Sequence, residues 1–294
     1  MEPPDELSAA IDGPKVFEQN KLLTIDFDTY KEAEGMNSHG LMDILRSPAH
    51  FHEHKVNKVE RKETTALQFG KLLHYAVLEG EMFLERYVIM PKFDRRTKAG
   101  KEGLLEWESK LKPGAIVVPE EMVDALTKIS RKVQTHPKAK NLLRGGVREQ
   151  SVFWTDTETG ELCKGRMDFI TKHGHIVDLK SILRADPRSF KKAIDNYDWH
   201  IQGAHYCSGA EIAKFADPKI YMFLAIEKDP PYEIAIYQAG VSVLGVGDQW
   251  RREAMKIYSQ CRKKNIWPGY TPDITTIELP SWAEAVYPDD VEAV

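Results

Sequence analysis

Three side chains on two short segments carry the chemistry this sequence could do: Asp168, Asp178 and Lys180. The second segment is Ile176-Val177-Asp178-Leu179-Lys180-Ser181. In an extended chain, side chains two apart share a face, so Asp178 and Lys180 point the same way and Leu179 points to the other side. Asp168, one strand earlier, reaches that pair if the register is right. Two carboxylates are hard oxygen ligands for Mg²⁺, and an adjacent lysine can orient or deprotonate a water. The set suits phosphodiester cleavage. On a solvated face, the same Asp/Lys pair would be a surface ion pair worth little. Here it sits in an apolar strand interior, where charge is costly unless a metal or partner compensates it.

The elements that must position these groups follow from the surrounding pattern. Residues 161–181 read as two strands joined by a His173-Gly174 turn. From Val147 the apolar period changes from 3.6 to 2, which predicts a strand over Val147–Thr155 and a turn over 156–160. Glu149, near the start of that strand, is a candidate third carboxylate. A one-residue shift of register would turn a different carboxylate inward, and Glu158 and Glu161 are close by. Helices are expected over 187–197 and 199–215. On the second, Gln202 and Tyr206 are four apart and share a face, with Trp199 and His205 close to the same sector. Facing a metal site, they supply a neutral amide and a phenol that can hold a phosphate oxygen or the lysine without adding charge. Strands over 219–227 and 232–238 and an amphipathic helix over 243–264 complete the second half.

The first half reads as mainly helical. Residues 1–36 are acidic, broken by prolines, and expected to form a flexible arm. Asn37 to Pro48 offers an N-cap, an apolar face at Leu41, Ile44 and Leu45, and a proline stop. His50, His52 and His54 are expected in a solvated loop. A helix is predicted from Thr64, with Gly80 as its stop and Leu67, Leu72, Leu73, Ala76 and Val77 as its stripe. It carries His74, and Gly70 leaves space one turn before. Residues 92–101 hold five basic groups in ten positions. They form either a solvated loop or, through Arg95, Arg96, Lys98 and Lys101, a phosphate-gripping loop leading into a helix around Leu104 to Leu111. Another helix is expected over 121–135, closed by Pro137. The division is an arm at 1–36, a single domain at 37–267 (37–146 mainly helical, 147–267 holding the metal-site core), and a peripheral tail at 268–294.

Composition bounds the partners. The chain has 294 residues, 42% apolar and 29% charged, with a net charge of −4. A protein that gripped nucleic acid by coating phosphates would be basic. DNA binding here must be local, metal-assisted or enforced by enclosure. Cys163, Cys207 and Cys261 are far apart without a Cys-x-x-Cys pair, which argues for a reducing compartment and against structural zinc or an iron–sulfur cluster. With no signal peptide and no membrane-spanning run, the expected location is cytoplasmic.

The ordered motifs Ser38-His39-Gly40-Leu41 through Ser47-Pro48, Gly70 to His74, Glu149, Gly165-Arg166-Met167-Asp168, Asp178-Leu179-Lys180 and Gln202 through Tyr206 resemble the restriction-endonuclease-like PD-(D/E)xK nuclease superfamily. More closely, they resemble the RecE-type exodeoxyribonuclease VIII group of its RecB-like branch. The resemblance covers residues 37 to 265. It implies an α/β fold, a restriction-endonuclease-like core with a central mixed β-sheet flanked by helices and a helical N-terminal portion. It also implies that Asp168, Asp178, His74 and the Leu179 carbonyl hold Mg²⁺, with Mn²⁺ able to substitute. Glu149 matches the family's acidic residue before the central hairpin, Lys180 would act on the attacking water, and Gln202 and Tyr206 would orient lysine and phosphate. The implied activity is 5′ to 3′ degradation of linear double-stranded DNA from its ends, leaving 3′ overhangs for recombination. Implied partners are a homo-oligomeric ring, which suits an acidic chain, and a single-strand annealing protein of phage or prophage type. Rival readings are a structure-specific or restriction-type endonuclease, a catalytically idle DNA-end-binding scaffold, and an unrelated α/β protein.

Overall fold

The computed structural model describes residues 17–57, 59, 64–78, 87–112, 115–215 and 220–279. The chain enters through α1 (Phe27–Glu32), α2 (Ser38–Arg46), α3 (Pro48–Phe51), a π-helical turn over His52–Val56, and α4 (Thr65–Leu78). The starts are set by side chains that accept from otherwise orphaned helical N–H groups: Asp26 for α1, Asn37 for α2 and Ser47 for α3. Next come β1 (Tyr87–Met90), α5 (Lys98–Ser109), β2 (Ile116–Pro119), α6 (Glu120–Thr135) and α7 (Pro137–Leu142). The second half runs β3 (Val147–Thr155), β4 (Leu162–Ile170), β5 (Ile176–Ile182), α8 (Pro187–Asn196), α9 (Trp199–Ala213), β6 (Tyr221–Glu227), β7 (Ile234–Gln238) and α10 (Val241–Lys264).

Strands β3 to β7 form one five-stranded sheet in sequence order. Every pairing is antiparallel except β5 with β6, which is parallel and bridged by α8 and α9. The sheet is therefore mixed and flanked by helices. On one face Phe169, Val177, Leu179, Leu224 and Ile226 pack against Leu72, Leu73 and Ala76 of α4 and Leu126, Ile129 and Val133 of α6. On the other, Val152, Trp154, Met167, Ile176 and Phe223 meet Leu41 and Ile44 of α2, Ile201 and Tyr206 of α9, and Met255 of α10. The alternation of β5 between the two cores confirms the period-2 reading: Ile176 and Ile182 face one, Val177 and Leu179 the other.

Two interruptions of the ladder matter for function. Strands β4 and β5 pair only at Phe169↔Val177 and Ile170↔Ile176, next to the turn, and then separate. The β3–β4 ladder skips Glu149 and Asp168, which would otherwise face each other between Arg148↔Phe169 and Gln150↔Met167. Glu149 has φ +49° there, a left-handed conformation that a side-chain-bearing residue adopts only under constraint.

The structure departs from the sequence expectations in several places. Residues 17–36 are not a loose arm. Leu23 exchanges backbone hydrogen bonds with Ser151, Met36 donates to the Leu162 carbonyl of β4 and accepts from the Lys164 N–H, and Phe17 stacks on Phe153 at 4.8 Å. Lys164 Nζ reaches the carbonyls of Tyr30, Lys31 and Ala33 and so caps α1, a device no local pattern reveals. Residues 1–16 and the expected stop at Gly80 lie outside the described residues. Strands β1 and β2, a parallel pair absent from the sequence reading, are only four residues long, and Val88 and Ile89 are exposed. Thr97 caps α5, so Lys98 and Lys101 lie on a helix and not in a loop. Pro137 opens α7 at its first position instead of merely closing α6. The histidine run is helical: His54 pairs with Asp43 at 3.2 Å, and His52 lies against Trp267. The described tail residues are mostly exposed, although Ala49 donates to the Pro268 carbonyl. No described helix is long and apolar enough to cross a membrane.

Candidate active site

The fork between β4 and β5 is where the polar groups collect. Past Val177 the backbone N–H of Leu179 has no β4 ladder partner and instead donates to Asp168 Oδ2 at 2.8 Å. In a strand the N–H and C=O of one residue point to the same side, so the Leu179 carbonyl also faces this gap. From α4, His74 Nδ1 approaches Asp168 Oδ1 at 3.4 Å and Glu149 Oε1 at 3.9 Å. Ligand atoms of His74, Glu149 and Asp168 all lie within 4.8 Å of one another. The left-handed turn at Glu149 and the broken ladder put two carboxylates that are 19 residues apart in sequence against one imidazole.

Asp178 sits beside this group without joining it. It lies in an ion pair with Lys180, Nζ to Oδ2 2.5 Å, at an angle that gives Oδ2 no hydrogen bond. Lys180 donates to Gln202 Oε1 at 2.6 Å, and Gln202 Nε2 donates to the Tyr206 hydroxyl at 3.2 Å. Because lysine can only donate, the Gln202 amide is oriented with its oxygen toward Lys180, and Tyr206 must accept from its NH₂. The Tyr206 proton is thus left for another acceptor. Burial pushes the Tyr206 phenol well above its usual range, so it remains a donor. Gly165 makes room for this arrangement, since a Cβ there would meet the Tyr206 ring at 3.1 Å.

The electrostatics describe a site short of positive charge. Burial, helped by Asp168 and opposed by Lys180, pushes the Asp178 carboxyl up to about 6. Burial and Asp168 also raise Glu149, against His74 and Arg166. Asp168 resists burial and is held low by His74, Lys180 and the Leu179 N–H. His74 in turn is raised to about 9, because Asp168 and Glu149 outweigh the effect of its burial. A hard divalent cation fits this donor set: carboxylate oxygens, one imidazole, a free-facing backbone carbonyl and a buried Oδ2 without a hydrogen bond.

The residues singled out in the sequence fall into two neighbouring groups. His74 and Asp168 come together as expected. Glu149, and not Glu158 or Glu161, stands at the cluster: Glu161 pairs with Arg262 and Glu158 with Arg252. Asp178 is directed to Lys180 and is absent from the three-residue cluster. His205 is fully buried elsewhere, its Nε2 on the Lys164 carbonyl and its ring against Trp154, and burial lowers it to about 4. Arg95, Arg96, Lys98 and Lys101 lie beyond β1, and no described contact joins them to the carboxylates. Arg96 is engaged with Asp94 at 3.1 Å, Lys98 lies 3.8 Å from Glu102, and Arg95 reaches Met90 Sδ. The sequence assigned no role to Arg166. It holds Glu149 at 2.9 Å and reaches Ser151 and the Ile25 carbonyl, so the N-terminal segment helps fix the carboxylate. The available signal was its place on the same strand face as Asp168 and Lys164, where a carboxylate from the neighbouring strand could meet it.

Comparison with known proteins agrees with this architecture. A family model described as "PDDEXK-like domain of unknown function (DUF3799)" matches residues 38–280. No curated protein matches the sequence significantly. Among solved structures, a Eubacterium rectale protein described as a "Putative exonuclease" superposes with a TM-score of 0.57 at 13% identity, covering 90% of this chain and 98% of that one. At that identity the likeness is one of fold.

Proposed function

Starting from the fact that the chain belongs to the PDDEXK-like family DUF3799, we propose that it is a divalent-metal-dependent nuclease that hydrolyses DNA phosphodiesters at the β4–β5 fork. The observation that carries this reading is the juxtaposition of the His74–Glu149–Asp168 cluster with the Asp178–Lys180–Gln202–Tyr206 chain. His74, Glu149 and Asp168 would hold the ion, with Asp178 and the Leu179 carbonyl beside it. When bound, Mg²⁺ or Mn²⁺ would supply Lewis-acid stabilisation of the charge that develops on the phosphate. The chain's own residues do the rest. Lys180, held from behind by Gln202, aims its remaining N–H groups at the attacking water. Tyr206 offers its proton to a phosphate oxygen. Arg166 keeps Glu149 from swinging out of the cluster. As the water oxygen bonds to phosphorus its proton would pass to bulk solvent, and as the bond to the sugar oxygen breaks that oxygen would take a proton from solvent.

The finer reading is an exonuclease of the RecE type, acting 5′ to 3′ on linear duplex ends to leave 3′ overhangs, working as a ring and handing its product to a single-strand annealing protein. Its support is the order of the motifs from Ser38 to Tyr206 and the net charge of −4, which favours enclosing the duplex over adhering to it. Arg95, Arg96, Lys98 and Lys101 are the proposed contacts to the DNA backbone. The test is degradation of linear duplex labelled separately at each 5′ and 3′ end, with and without Mg²⁺, beside a closed circular control. Release of 5′-terminal nucleotides from linear substrate alone supports the reading. Nicking of the circle makes the protein an endonuclease, and binding of ends without cleavage makes it a scaffold.

A further inference from the structure

Lys180 has an aromatic neighbour that the mechanism above does not use. Its Nζ lies 4.9 Å from the centroid of Trp199, the first residue of α9. Trp199 is backed by Phe190 at 5.6 Å and Phe223 at 6.4 Å, both fully buried, so the indole is held firmly. On it stacks Tyr197, with centroids 5.3 Å apart and planes 28° apart. Tyr197 is 61% exposed, so much of its ring is open to solvent.

The residue between the two rings is what brings them together. Asp198 has φ +54°, the left-handed conformation, which costs free energy for any residue bearing a Cβ. Asp198 follows the C-cap Tyr197 of α8 and donates to the Asp195 carbonyl, so the left-handed residue is the one that ends α8, and its own carbonyl accepts the first bond of α9 from Ile201. The result of that backbone reversal is that residues 197 and 199 place their rings face to face.

An open phenol ring on a fixed indole, which itself lies 4.9 Å from the lysine assigned to the attacking water, is a platform for a flat aromatic group on the side of the proposed reaction centre. Bases inside a duplex already stack on each other, and a protein ring can take one only after it has left its neighbours. We propose that Tyr197, seated on Trp199, is a positioning residue that stacks on an unpaired nucleobase adjoining the scissile phosphate, so that the substrate strand is engaged with its end unstacked. This rests on the nuclease reading and adds to it a preference for frayed or single-stranded ends.

The test compares the full-length wild type with Tyr197→Ala and Tyr197→Phe in Mg²⁺. The substrates are linear duplexes carrying short unpaired tails, in which the tail nucleotides have either normal bases or tetrahydrofuran abasic units. Loss of one base–aromatic stack lowers kcat/KM by roughly 5- to 100-fold. The wild type is expected to slow by that factor on the abasic tails. Tyr197→Ala is expected to slow equally on normal tails, with no further loss on abasic ones, and Tyr197→Phe to behave as wild type. A Tyr197→Ala protein that discriminates abasic tails as strongly as the wild type overturns the stacking role while leaving the nuclease intact. A wild type that cuts none of these substrates overturns the nuclease reading and this inference with it. An unchanged thermal midpoint in Tyr197→Ala excludes a folding defect as the cause of a loss.

Discussion

Replacing Asp178 by asparagine is expected to stabilise the metal-free protein while destroying its activity. Asp178 is 1% exposed and its Oδ2 makes no hydrogen bond, so it pays for burial with only the Lys180 contact in return. Burial lifts its carboxyl from 3.8 to about 6, with Asp168 adding to the shift. A raised carboxyl pKa means the folded chain holds that proton more tightly than the unfolded chain. The stabilisation is full below 3.8, shrinks as pH rises through about 6, and is gone above it. The gap of about two pH units, at about 1.4 kcal/mol each, amounts to about 3 kcal/mol lost at neutral and alkaline pH. Asparagine does not ionise and recovers that amount, less whatever Lys180 loses with its partner. For a chain of this size the gain corresponds to a rise in Tm on the order of 5–10 °C. Thermal unfolding in EDTA at pH 8 and at pH 4 reads it directly, with the variant ahead at pH 8 and level at pH 4. An Asp178→Asn protein no more stable than wild type at pH 8 would refute the claim that the site is held short of positive charge.

Three further outcomes follow from the same geometry. Lys180→Ala should lower turnover by at least about 100-fold while leaving stabilisation by added Mg²⁺ intact, because the lysine acts on water and the carboxylates on the ion; cleavage rates and metal-dependent melting read the two separately. His74 holds a proton up to about pH 9 and must release it to ligate an ion, so metal affinity should rise about tenfold per pH unit between 7 and 9 in the wild type. In His74→Ala the same titration by calorimetry should be weaker and nearly flat with pH, and an unchanged slope would remove His74 from the ligand set. Replacing Arg95 and Arg96 together by alanine should raise the DNA concentration needed for half-maximal rate and reduce its salt dependence, and equal salt slopes would mark the segment as a solvated face.

The sequence made the central hairpin plain and left its surroundings obscure for identifiable reasons. Strands β4 and β5 and the Asp178–Lys180 face were legible because period-2 alternation and a turn at Gly174, with φ +78°, are local signals. The Gln202–Tyr206 pair was legible because spacing by four puts both on one helical face. The position of Glu149 was not readable from local pattern, since it depends on a left-handed residue where an alternating pattern promises a regular strand. Nor could alternation show that β4 and β5 part after two pairs, which is what separates Asp178 from the carboxylates gathered around His74. The N-terminal segment was misread because its order comes from Ser151, Phe153 and Lys164, more than a hundred residues away, and not from its own composition. The platform at Tyr197 and Trp199 was hidden for a different reason: one ring closes a helix and the other opens the next, and the backbone turn at Asp198 that stacks them leaves no mark in the apolar pattern.

The most direct test of the central claim is the rate of cleavage of end-labelled linear duplex DNA as Mg²⁺ is titrated, for the wild type and for Asp168→Asn. The substitution keeps the side chain's shape and its acceptor for the Leu179 N–H while removing the charge that links His74 to the fork. The account predicts no cleavage in EDTA, a saturable rise in rate with Mg²⁺ for the wild type, and no recovery by Asp168→Asn at any Mg²⁺ concentration. Cleavage by the wild type in EDTA, or wild-type rates from Asp168→Asn, would contradict it.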